Sequence, residues 1–164
     1  MALTLYSHPF SSYCQKVLVA LWENDLAFTY RHLEEPGAAG ERAALWPLGR
    51  FPVLVDSGRV IAESSIIIEH LNVHHPGPVR FLPQARDAAL EVRFLDRFFD
   101  NYVMSAMQKP VLEALKGERG RTEEALAEAR LALDTAYAWL EERLADSTSP
   151  AMPARFMPPP SGMI

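Results

Sequence analysis

The 164-residue chain has one cysteine, Cys14. An intrachain disulfide is excluded, and a lone thiol suits a reducing compartment. Apolar runs such as Ile66-Ile67-Ile68 are far short of the roughly 20 residues that span a bilayer. The start, Met1-Ala2-Leu3-Thr4-Leu5-Tyr6, lacks the basic opening and long apolar core of a secretory signal. Positive charge is not in excess either. The net charge of −5 gives no reason to expect nucleic acid as a partner. No internal repeat is visible. These absences lead us to expect a soluble, cytoplasmic protein with no membrane or nucleic-acid partner, and its length fits one large domain or two small ones.

What is present falls into two halves. Ala2 to Tyr6 is short, apolar and β-prone, and His8-Pro9 ends it. A helix follows, capped by Ser11 or Ser12 and running to about Asn24, with Val17, Leu18 and Leu21 on its buried face. Ala27 to Leu33 reads as a second strand. A short helix lies around Gly40 to Trp46, closed by Pro47 and Gly49. Pro52 to Val55 and Arg59 to Ile61 flank Asp56-Ser57-Gly58, a hairpin signal. Ser64 to about Leu71 is a third helix. The order βαβ then αββα predicts an α/β, thioredoxin-like domain over residues 1–75.

Residues 76–84 read as a linker, opened by Pro76-Gly77-Pro78. From Gln84 to about Leu115 the pattern is helical, with Leu90, Phe94, Leu95, Phe98 and Tyr102 recurring at helical spacing. Pro110 should kink or interrupt that helix, and Gly117 and Gly120 should end it. Thr122-Glu123-Glu124 opens another helix, whose buried stripe is Leu126, Ala129, Leu133, Ala136, Leu140 and Leu144. Residues 85–146 are thus expected to form a partial all-α domain. Residues 147–164 carry clustered prolines, as in Met157-Pro158-Pro159-Pro160, and read as a disordered tail.

Three short motifs occur in order: Ser11-Ser12-Tyr13-Cys14, then Arg50-Phe51-Pro52-Val53, then Glu63-Ser64-Ser65. Each alone has a plain structural reading. Ser11 and Ser64 are common helix caps, Phe51-Pro52 suits a strand start, and Glu63 suits a solvated surface. Cys14 fits a small apolar residue on an inner helix face. No metal role follows for His8, His32, His70, His74 or His75, since none shows a ligand spacing with a cysteine or carboxylate cluster.

As a set, the motifs make Leu3 to Leu71 resemble the N-terminal domain of the cytosolic glutathione transferases. Leu90 to about Leu144 resembles the first two helices of that family's all-α domain, and Asp96-Arg97-Phe98-Phe99-Asp100-Asn101-Tyr102 looks like a bacterial branch. The resemblance implies glutathione as co-substrate and no metal. It implies Ser11 as the catalytic group that donates to the glutathione thiolate, a role compatible with capping. It implies a cis Pro52, with the Phe51 backbone pairing with the cysteinyl part of glutathione. Glu63 would meet the γ-glutamyl ammonium, Ser64 its carboxylate, and Arg50 the glycine carboxylate. Trp46-Pro47-Leu48-Gly49 departs mildly from the family's Asn-Pro-x-Gly. Ser11-x-x-Cys14 resembles the Cys-x-x-Cys of glutaredoxins with the attacking thiol replaced, so dithiol exchange is not expected.

The expected reaction is attack of glutathione thiolate on a small hydrophobic electrophile. Lowering a thiol pKa by about 2 units from about 8.5 takes roughly 2.7 kcal/mol. That raises the thiolate fraction at pH 7 from about 3% to about 75%, but a Brønsted slope of about 0.45 leaves only a few-fold net gain. Most acceleration must come from placing the electrophile. The family's later helices find no match beyond Asp146, so the ending reads as truncated or frame-shifted. The apolar faces left uncovered predict a homodimer or larger assembly. The rival expectation is a non-catalytic glutathione-binding or interaction protein.

Overall fold

Burial at Leu3, Leu5, Tyr6 and Ser7 marks strand β1 (Leu3–Ser7) as a central strand, packed on both faces. These positions come from a computed structural model that describes residues 2–115 and 122–148, with side chains to residue 145. The segments 116–121 and 149–164 lie outside it, and with them the expected stops at Gly117 and Gly120 and nearly all of the proline-rich tail. The chain divides into two units, Met1–Ala89 and Leu90–Ile164.

In the first unit, helix α1 (Ser12–Glu23) buries Cys14, Val17, Leu18, Ala20 and Leu21, the stripe that a 3.6-residue period brings to one side. It returns the chain to β2 (Phe28–His32), which pairs in parallel with β1, Leu3 opposite Phe28. Short helix α2 (Ala38–Leu45) follows. Strands β3 (Val53–Asp56) and β4 (Arg59–Ala62) form an antiparallel hairpin. Its two turn residues, Ser57 and Gly58, have φ of 50° and 87°, as a two-residue turn matched to strand twist requires. The sheet order is β2-β1-β3-β4, with β1 and β3 antiparallel. Helix α3 (Ser64–His74) closes the unit. Leu5, Val17, Leu21, Leu54, Ile67 and Leu71 are fully buried between sheet and helices. Each such side chain contributes about 1.5–3 kcal/mol by leaving water.

Helix α3 extends one turn past the expected Leu71, to His74. The stretch after it is fastened by side chains. Asn24 donates to the Val79 carbonyl at 3.0 Å and accepts from the Val79 N–H at 2.8 Å. The Phe81 N–H donates to Asn72 Oδ1 at 3.1 Å. Gly77 passes so close that a Cβ there would lie 2.5 Å from Asn24 Cγ.

The second unit holds α4 (Arg86–Phe98), which starts just before the boundary, a π-helical segment (Phe99–Met104), α5 (Ser105–Leu115) and α6 (Glu123–Thr148). Its core gathers Phe98, Val103 and Ala136 with Phe94, Leu133, Trp139 and Leu140. The Phe98 and Trp139 rings stack at 4.5 Å, and the Arg143 guanidinium lies over Trp139 at 5.3 Å. Arg143 also pairs with Glu91.

Pro110 sits inside α5 and does not interrupt it. The irregularity falls upstream, where the Ser105 N–H reaches back five residues to the Asp100 carbonyl. That wider turn rotates Asp100 and Val103 inward and leaves Tyr102 60% exposed. In the predicted stripe of α6, Ala129 and Ala136 are buried but Leu144 is exposed, as is Leu90 in α4. No helix among the described residues is long and apolar enough to cross a membrane.

Candidate functional site

Sheet register carries the three motifs to one end of the first unit. Leu3 to Tyr6 pair with Asp56 to Val53, and Val53 pairs with Ala62. Continued one residue, the register sets Ser7 beside Pro52 and Pro52 beside Glu63. The same sheet end therefore carries the turn into α1, the Phe51-Pro52 loop and the turn into α3.

Ser11 is the N-cap of α1, with φ −92° and ψ 118°. Its Oγ accepts from the Cys14 N–H at 3.4 Å. A hydroxyl that accepts still has its own hydrogen to donate elsewhere, so capping and donation are compatible in this geometry. Cys14 is fully buried, and its Sγ accepts from the His8 N–H at 3.4 Å.

The Phe51-Pro52 peptide is cis. Pro52 is buried, Phe51 is exposed, and Arg50 beside it is exposed as well. Glu63 has φ 69° and ψ 119°, a conformation unfavourable for any residue with a Cβ. That turn places Glu63 at the N-cap of α3 with its carboxylate exposed and making no cap bond. Ser64 behind it is buried. An α3 N-terminus without a side-chain cap offers N–H groups and a positive dipole end to an anion. Lys16 of α1 donates to Ser65 Oγ at 3.5 Å, tying the two helix starts together.

His8 is the residue that the motifs did not assign. Its carbonyl accepts from the Ser11 N–H at 3.1 Å. Its ring lies 5.7 Å from Phe10, 5.5 Å from His32 and 6.2 Å from Phe51. Nδ1 accepts from the Phe10 N–H, which leaves Nε2 to face Glu34 at 3.3 Å. The signal was its place between β1 and Ser11, which fixes position but not role.

Two other polar clusters stand out in this unit. Arg31 grips Glu41 through Nε at 3.1 Å and Nη2 at 2.7 Å, and also pairs with Glu35. The Arg31 hydrogen bonds hold the Glu41 carboxyl below its ordinary range. Glu41 accepts from the Tyr6 hydroxyl at 3.1 Å, and burial pushes the Tyr6 pKa up. The second cluster joins Asp56 to His75 and His70, whose hydrogen bonds bring the Asp56 pKa down to about 2. In the second unit, α5 and α6 line an open groove of about 550 Å³ with Lys109, Leu112, Glu113, Leu115, Ala125 and Glu128. None of these is a predicted glutathione contact.

A four-stranded mixed sheet with the order 2-1-3-4, a cis proline before β3 and two helix starts at one sheet end define a thioredoxin-like domain followed by a helical one. Residues 5–79 match the family described as glutathione S-transferase, N-terminal domain. Over those residues, less than half of the chain, the sequence is similar to the glutathione transferase family. A glutathione transferase family member from Pseudomonas fluorescens, solved with bound glutathione, shares 25% identity at a TM-score of 0.74. The match covers 88% of this chain and 73% of that one. A glutathione S-transferase from Methylobacterium radiotolerans, in complex with glutathione sulfonate, shares 27% identity at a TM-score of 0.71, covering 89% and 68%. Among curated relatives, a stringent starvation protein A homolog from Pasteurella multocida is 32% identical over 76 residues, 46% of this chain and 36% of its own length. "Probable glutathione S-transferase" from Oryza sativa is 30% identical over 105 residues, 62% of this chain and 44% of its own. The chain thus spans less than half the length of these curated relatives.

Proposed function

We propose that this protein binds glutathione at the sheet end shared by Ser11, Phe51-Pro52 and Glu63-Ser64, and transfers its thiolate to small hydrophobic electrophiles. The observation that carries the reading is the convergence of three motifs, separated by as many as 52 residues, at one end of the sheet. Ser11 donates to the sulfur beside the positive end of α1. The Phe51 main chain pairs with the cysteinyl backbone like an added strand. Glu63 pairs with the γ-glutamyl ammonium, the α3 N-terminus with Ser64 holds the γ-glutamyl carboxylate, and Arg50 meets the glycine carboxylate. The protein acts in the cytoplasm, and the exposed apolar side chains of the second unit, Leu131 and Leu144 among them, pair in a homodimer.

Calorimetric titration of glutathione into the full chain tests the site. Micromolar-to-millimolar binding is expected, and no binding overturns it. Turnover of a generic aromatic halide then tests transfer. A second reading, a glutathione-binding protein without transferase activity, is favoured by matched relatives named as stringent starvation proteins rather than transferases. Intact binding without turnover selects that reading.

A further inference from the structure

Asp56 ends β3 at the hairpin turn, while His70 and His75 lie at the far end of α3. Folding brings the three together where Asp56 pairs with Leu3, the end of the sheet opposite the one that carries Pro52 and Glu63. His75 Nε2 lies 2.7 Å and His70 Nε2 2.9 Å from one oxygen, Asp56 Oδ2. All three ligand atoms fall within 4.8 Å of one another. The side chains of His70, His75 and Asp56 are 7%, 11% and 12% exposed, so the cluster is sheltered yet reachable. The other carboxylate oxygen, Oδ1, is held by the Ser57 hydroxyl at 3.2 Å, which fixes the plane of the carboxylate.

We infer that Asp56, His70 and His75 bind one divalent transition-metal ion of the zinc class through Asp56 Oδ2 and the two Nε2 atoms. Two imidazoles and a carboxylate match the ligand preferences of such ions and leave a fourth position for water. Metal–ligand bonds of about 2.0–2.2 Å require ligand atoms about 3.3 Å apart in a tetrahedron. The present contacts need open by only about half an ångström, within reach of side-chain rotation. The ion replaces the two Nε2–H hydrogen bonds to Asp56. Each neutral ring then carries its proton on Nδ1, so neither ring is ionised. The C-terminal end of α3, with its partial negative charge, favours a cation there. Nothing in the ligand set depends on glutathione.

A second trio, His8, His32 and Glu34, also satisfies the distance condition. Its carboxylate side is 73% exposed on Glu34, and it borders the proposed glutathione site. It therefore serves as the internal control.

The test is calorimetric titration of zinc chloride into the chelator-stripped full chain, repeated on Asp56→Asn, His70→Gln and His32→Gln. Asn and Gln keep hydrogen-bonding capacity but are poor zinc ligands. One ion per chain is expected, weakened at least tenfold by Asp56→Asn and His70→Gln and unchanged by His32→Gln. Glutathione affinity should be the same in Asp56→Asn and His70→Gln as in the parent, which shows that they fold. Independently of any substitution, zinc should shift the imidazole ¹⁵N resonances of His70 and His75 in the unaltered protein. Absence of zinc binding, equal binding by His70→Gln, loss in His32→Gln alone, or unmoved His70 and His75 resonances would each overturn the assignment.

Discussion

In the proposed function Ser11 has two jobs, capping α1 and donating to sulfur, that a single substitution separates. Its cap bond to Cys14 is long, at 3.4 Å, so Ser11→Ala should cost near the low end of the capping range, about 0.5–1 kcal/mol. Urea unfolding checks that figure. The same change should raise the pKa of bound glutathione by about 2 units, yet lower conjugation at pH 7 only about threefold, because the less stabilised thiolate is a better nucleophile. The pH–rate profile is the decisive measurement: an unmoved profile would leave Ser11 a cap and nothing more. Glu63 poses the complementary case. Its φ of 69° carries a cost on the order of 1–3 kcal/mol for a residue with a Cβ, and glycine is free of it. Glu63→Gly should therefore fold with equal or greater stability, by up to about 1 kcal/mol after the entropy of the freer unfolded chain. Glu63→Ala keeps the strain and gains nothing. Both should lose most glutathione affinity in calorimetry, since both lack the carboxylate. A Glu63→Gly protein less stable than Glu63→Ala would show that the turn is not strained.

Helix α2 has one buried residue, Ala38, so side-chain bonds to the sheet must hold much of it. Arg31 and Tyr6 supply them through Glu41. The folded Glu41 pKa is lowered below 4.5, chiefly by the Arg31 hydrogen bonds. Its contribution is therefore present above pH 4.5 and fades as the pH falls through the lowered folded value. The parent should melt above Glu41→Gln at pH 7, and the gap should close well below pH 4.5. A gap constant with pH would remove Glu41 from the tie. Order and type of the first seven elements were legible in the sequence because apolar alternation, Ser caps and Pro-Gly stops agree at each boundary. Two details were not. The final turn of α3 has polar Asn72 and His74, so hydrophobic periodicity ended before the helix did, although Pro76 marked the limit. The π-helical segment is invisible to a 3.6-residue template, which placed Tyr102 with Phe98, where its ring does lie at 5.4 Å, but passed over the buried Asp100 and Val103. At the candidate site, Ser11, Pro52 and Glu63 were legible from motif order. His8 and the Asp56–His70–His75 cluster were not, because their partners meet only through the sheet and the end of α3.

Among the described residues the two cores are unequal: ten buried apolar residues form the main cluster of the first unit, from Leu3 to Leu71, while three, Phe98, Val103 and Ala136, centre that of the second. Since stability tracks apolar area removed from water, the second unit should unfold at lower urea than the first. Trp139 lies in the smaller core, while Trp22 and Trp46 belong to the first unit. A Trp22→Phe, Trp46→Phe background thus makes tryptophan fluorescence a probe of the second unit, while the far-ultraviolet signal reports both. Every proposed glutathione contact, from Ser11 to Ser64, is in the first unit. Glutathione at a hundred times its Kd adds about 2.7 kcal/mol to whatever binds it, equivalent to roughly 1–2 M urea for a domain of this size. The later transition should move by that amount, with the Trp139 transition fixed. The earlier transition should also rise with protein concentration if exposed residues such as Leu131 pair between chains. A single transition that moves as a whole with glutathione would mean that the units fold as one, with the helical unit taking its stability from the ligand site.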